Sequence, residues 1–141
     1  MAAAGRRGRI TAAVVGAVVL LVLVGSAVTM TAIWSGRSSG NPVVTIRVID
    51  ETYRVELADP EALATARQLL AGEIGPKIPT GLVVRDDPGP NAPWSWHIDP
   101  ATFEWADQTT EVCDGLPSFV EDGTVTSPYY CPWSAEVIAI G

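Results

Sequence analysis

Trp94-Ser95-Trp96-His97-Ile98-Asp99-Pro100, Phe103-Glu104-Trp105, Glu111-Val112-Cys113-Asp114 and Cys131-Pro132-Trp133-Ser134 hold four of the chain's five tryptophans, both cysteines and its one histidine. In the first block Trp94, Trp96 and Ile98 alternate with Ser95, His97 and Asp99. That period of two predicts a strand with one buried aromatic face. Asp99 to Thr102 reads as a turn, after which Phe103 and Trp105 continue the alternation with Glu104 on the opposite side. Val112 and Cys113 are expected in a short strand or helix start. Leu116, Phe119 and Val120 are spaced for one or two helical turns, and Ala135 to Ile140 makes a terminal strand.

Upstream of these blocks the signals are cleaner. Val44 to Val48 and Tyr53 to Leu57 alternate apolar with polar around Asp50-Glu51, the pattern of a β-hairpin with one wet face. A helix comes next: Asp59 can accept hydrogen bonds from the first turn, Pro60 suits the first helical position, and Gly72 can take the left-handed conformation that closes the last turn. Leu63, Ala66, Leu69 and Leu70 give it one apolar face. Gly75 to Gly81 reads as a loop leading to a short strand at Leu82-Val83-Val84, and Asp86 to Pro93 as a turn-rich loop that cannot continue a ladder. The expected fold class is α+β: an antiparallel sheet of about five strands with one main helix packed on a face, and one disulfide.

Ahead of the domain, Ile10 to Trp34 contains no charged residue, and Arg6, Arg7 and Arg9 precede it. About 20 apolar residues cross a bilayer, and basic residues keep their own side in the cytoplasm. The spacing therefore predicts a cytoplasmic basic segment at 1–9, a membrane-spanning helix at 10–34, a flexible stalk at 35–42 and an extracytoplasmic domain at 43–141. Cleavage near Ala27, within Gly25-Ser26-Ala27, is the alternative and would make the domain secreted. Beyond the span, six Lys and Arg face sixteen Asp and Glu, a difference of −10. So acidic a domain repels nucleic acid and anionic head groups.

In an oxidising compartment Cys113 and Cys131 point to one disulfide, worth about 3 kcal/mol through the loop it closes. A thiolate metal pair is the rival, but one histidine and no CxxC spacing argue against zinc. No metal or cofactor is expected.

The combined W-x-W-H-x-D-P, E-V-C-D and C-P-W-S blocks, with the helix from Asp59 to Gly72, Gly81 and Asn91, resemble a small-domain family named after the N-terminal part of a calmodulin-binding protein. The resemblance spans nearly everything from Val43 onward and implies a small extracytoplasmic α+β domain with paired cysteines, without an implied catalytic role. Calmodulin is not predicted as a partner: it is acidic and grips basic amphipathic helices, whereas this domain is acidic and its one clear helix is not basic.

Six residues are candidates for a ligand-binding surface: Asn91, Trp94, His97, Asp99, Glu111 and Asp114. His97 has the side chain whose ordinary titration lies nearest neutrality, and its plainer role is a structural bond to Asp99, Glu111 or Asp114. Asp99, Glu104, Glu111 and Asp114 could gather around calcium, but no EF-hand or repeat-type calcium loop is present, and solvated charges or caps explain them as well. Trp96, Trp105 and Trp133 are expected in the core around the disulfide; Trp94, at the end of a Pro-rich loop, is the ring expected to be partly exposed. The leading expectation is a membrane-tethered, non-enzymatic binding module for an extracytoplasmic protein or glycan. A small hydrolase-like enzyme using His97 with a carboxylate, and a structural envelope protein, are the alternatives.

Overall fold

Val44, Ile46 and Val48 point inward from β1 (Val43–Val48), and Tyr53 and Val55 do the same from β2 (Glu51–Glu56). The period-two alternation thus becomes one buried and one wet face, joined through the two-residue turn Ile49-Asp50. The computed structural model describes residues 40–141. The expected basic segment, the span at 10–34 and most of the stalk lie outside the described residues. Among those described, no helix is long and apolar enough to cross a membrane.

The domain is α+β, with antiparallel sheets, two helices and one disulfide. β7 (Ala135–Ile140) pairs with the other edge of β1, giving the order β2-β1-β7. A register shift lies between Thr45, opposite Ala139, and Ile46, opposite Val137.

The second sheet is built on β3 (Ile78–Val84). Its first half pairs with β5 (Glu104–Ala106), its middle with β6 (Tyr129–Tyr130) and its end with β4 (His97–Ile98). Seven strands in two sheets thus replace the expected single sheet. Three of them are two or three residues long, too short for an alternating pattern to register. The loop expected from Gly75 to Gly81 also overlaps β3, where Pro79 is fully buried and Gly81 packs under Ile98. Proline and glycine there serve close packing rather than a turn.

Helix α1 (Pro60–Leu70) begins as its sequence predicts: the Asp59 carboxylate accepts from the N–H groups of Glu61 and Ala62 at 3.2 and 3.0 Å. Such a cap contributes about 1 kcal/mol. Gly72, at φ +69°, comes after the last turn. Ala62 and Ala66 are buried, Leu63 and Leu69 pack partly against the core, and Leu70 turns outward. The indole N–H of Trp105 donates to the Ala62 carbonyl at 2.9 Å and ties β5 to the helix. Helix α2 (Pro117–Glu121) is the short turn expected around Leu116 to Val120. Its first turn is held from β2, because the Glu51 carboxylate accepts from Ser118 N–H and Oγ at 2.8 and 2.7 Å.

Three rings bring the layers together. Tyr53, Trp96 and Tyr130 sit with centroids 5.4 to 5.8 Å apart, and all three are buried. Tyr130 donates to the Gly115 carbonyl at 2.9 Å. Burial raises the pKa of both tyrosines above its ordinary value; for Tyr130 the neighbouring Tyr53, Asp114 and Glu51 add to it. Among the described residues, only Trp96 Nε1 is a buried side-chain polar atom without a partner.

Candidate functional site

Asn91 ends a 3₁₀ turn (Gly89–Asn91) in the Pro-rich loop and is 1% exposed, the one buried polar residue of the described domain. Its Oδ1 accepts the backbone N–H of Arg54 at 2.7 Å, and its Nδ2 donates to the Trp96 carbonyl at 2.8 Å. Two residues along β2, the Trp94 indole N–H donates to the Thr52 carbonyl at 2.8 Å. The Arg54 guanidinium in turn donates to the Ala92 carbonyl. Residues 52 and 54 face the outer edge of the first sheet, so these bonds cover an edge that would otherwise pair with another chain. Trp94 is half-buried and, with Asn91, lines a hollow of about 70 Å³.

His97 is set by the same loop. Its Nδ1 lies 2.6 Å from the Asp87 carbonyl oxygen, which can only accept, so the proton sits on Nδ1. The Asp87 carboxylate is 4.0 Å away, and the ring packs on Gly89, where an added Cβ would come within 3.1 Å. Asp99 does not reach the histidine. Its carboxylate accepts the Ala101 N–H at 3.0 Å and its carbonyl the Thr102 hydroxyl at 2.9 Å, closing the turn between β4 and β5.

Glu111 and Asp114 belong to another place, beside the disulfide. Cys113 and Cys131 are bonded, with Cα atoms 5.1 Å apart, and the Cys131 N–H donates to the Cys113 carbonyl at 2.7 Å. Asp114 Oδ1 accepts from the N–H groups of Gly115 and Trp133, both at 2.8 Å. Glu111 is exposed. By their bonds, Asn91 and Trp94 engage β2, His97 engages the Asp87 segment of the same loop, Asp99 closes its own turn, and Glu111 and Asp114 lie beside the disulfide. His97 is bonded to the Asp87 segment and not to Asp99, Glu111 or Asp114. Among the described residues no three His, Cys, Asp or Glu side chains are gathered to hold a metal ion.

The larger cleft, about 180 Å³, lies elsewhere, between Leu69, Ile74, Pro76, Trp105 and Val137. It contains none of the six candidates, and small-molecule sites are usually about 300–1,000 Å³.

Sequence reasoning missed the rings and methyls that face solvent. Trp133, expected in the core, is 45% exposed, with its indole N–H held by Thr109 Oγ1 at 2.7 Å. Val112 and Ile49 are more exposed still, at 72% and 68%. Ile49 was findable, since counting the alternation to the end of β1 leaves it at the hairpin tip. Nothing local to Pro132-Trp133-Ser134 marks the ring as outward.

A family model described as the BP-74 N-terminal domain matches residues 41–140, the family that the tryptophan and cysteine blocks resemble. No curated protein and no solved structure matches the chain.

Proposed function

We propose that this chain, which belongs to the BP-74 N-terminal domain family, is a membrane-tethered extracytoplasmic module that binds a macromolecule and catalyses nothing. The observation that carries the reading is the bonded pair Cys113–Cys131 in a domain preceded by a stretch, Ile10 to Trp34, without a charged residue. Disulfides persist where the compartment is oxidising, and arginines ahead of an apolar segment orient it so that the downstream domain is exported.

The non-enzymatic part rests on how the polar candidates are used. Asn91, Asp99 and Asp114 give their hydrogen-bonding capacity to backbone groups of the fold. General acid–base work needs a base within about 3 Å of its proton in a shared pocket, and His97 lines neither the 180 Å³ cleft nor the 70 Å³ hollow. An interaction module needs only a shaped and exposed surface.

The test is protease accessibility of the full chain in cells expressing it. Protease added outside the cytoplasmic membrane is expected to remove the domain and leave the N-terminal segment with the membrane. A domain that survives in sealed cells and is cut only after lysis would overturn the reading.

A further inference from the structure

Four of the seven exposed large apolar side chains of the described domain, Ile49, Val112, Phe119 and Trp133, are carried by segments tied to one another. Their placement is set by the bonds around them. Val112 and Trp133 flank the cystine, one residue before Cys113 and two after Cys131, and Trp133 is held to Thr109 and Asp114. Asp114 also holds Gly115, whose backbone packs on the Phe119 ring, where an added Cβ would be 3.2 Å from Cδ2. Ile49 comes after Val48, which pairs with Ala135 two residues from Trp133, and precedes Glu51, which holds Ser118 beside Phe119. The hairpin tip thus sits between α2 and the segment after the cystine. Ile49 takes φ 59°, costly for a β-branched side chain, and holds it in solvent.

Charge decides what fits there. From residue 86 to residue 141 there is no Lys or Arg, while ten Asp and Glu fall in the same span. Asp50, Glu111 and Asp122 are exposed on the segments that carry the four apolar side chains. Of the five described cations, Arg47, Arg54, Lys77 and Arg85 are already bonded to oxygen atoms of the domain.

We infer that this surface of the domain, centred on Trp133 and Val112 and rimmed by carboxylates, docks a basic, apolar segment of a partner protein. An anionic lipid surface would be repelled by the rim, whereas Lys and Arg flanking an apolar anchor complement it. The inference stands whether or not the chain is tethered, since it uses only residues of the described domain.

The test uses the full chain in nanodiscs of neutral lipid. The probe is a synthetic amphipathic peptide of Lys, Leu and Trp, with a matched peptide carrying Glu for Lys. Trp133→Ser with Val112→Ser is expected to weaken the Lys peptide at least tenfold, and Asp50→Lys with Glu111→Lys, which leaves the apolar groups in place, to weaken it comparably. Leu70→Ser, an exposed apolar site on α1, should leave binding within twofold. Equal binding by the patch variants, equal loss in Leu70→Ser, or equal affinity for the Glu peptide would overturn the inference. So would brominated-lipid quenching beyond that of Trp34 in the expected span that Trp133→Ser removes, which would make the patch a membrane contact. Peptide binding that persists in a chain recovered from cytosol would support the patch while removing the tether.

Discussion

Asn91 Oδ1 accepts the backbone N–H of Arg54 at 2.7 Å, so a loop side chain occupies a ladder position that a neighbouring strand would otherwise take. The same amide donates to the Trp96 carbonyl, which joins the sheet edge to the aromatic core. Asn91→Ala leaves both groups without a partner in a buried setting, and an unsatisfied buried group costs about 1–3 kcal/mol. Urea denaturation should show a loss of about 2–6 kcal/mol. Asn91→Asp keeps the acceptor but sets a buried carboxylate oxygen against the Trp96 carbonyl, and should be no more stable than Asn91→Ala; an Asn91→Ala variant as stable as wild type would remove the edge-covering role.

Gly81 is required by its neighbour. A Cβ there would lie 2.3 Å from Ile98 Cγ2, and Ile98 is buried in the core. Gly81→Ala should therefore cost about 1–3 kcal/mol as overpacking. In an Ile98→Ala background the same change should cost far less, and thermal unfolding of the four proteins of this cycle measures the difference.

The cystine closes a loop with a sequence separation of 18. Cys113→Ser with Cys131→Ser should lower unfolding free energy by about 3 kcal/mol. Reductant should have little further effect on that variant while destabilising wild type, which comparison of the two denaturation curves checks.

High pH should unfold the domain through Tyr53 and Tyr130. Both hydroxyls are held above the ordinary tyrosine value of 10.0 by burial. Below pH 10 both states are protonated and the stability is intact. Above it the unfolded chain releases protons that the folded chain retains, so stability falls by about 1.4 kcal/mol per pH unit for each tyrosine. Tyr53→Phe should halve that slope between about pH 10 and 12 in denaturation followed by circular dichroism.

The regular elements were legible in the sequence because each repeats its pattern for long enough. β1, β2 and β7 run six residues each, and α1 carries its cap, its proline and its closing glycine. The family and the bonded pair were legible too. β4, β5 and β6 were not fully readable, since strands of two or three residues are stabilised by β3 beside them rather than by their own pattern. For the candidate residues the sequence marks type and not orientation. Asn91 and Asp99 have the chemistry of a site and are spent on turns and an edge. Trp133 has the chemistry of a core residue and faces water, because the cystine and Asp114 fix the backbone that turns it outward.

A folded domain held outside the cytoplasm on a membrane tether is the central claim. Its most direct test is the thiol state of the full chain in cells, trapped by alkylation under denaturing conditions without reductant and read by mass spectrometry of the membrane and soluble fractions. The predicted result is membrane-associated chain with Cys113 and Cys131 joined and unmodified. Soluble cytosolic chain carrying two alkylated thiols would contradict it.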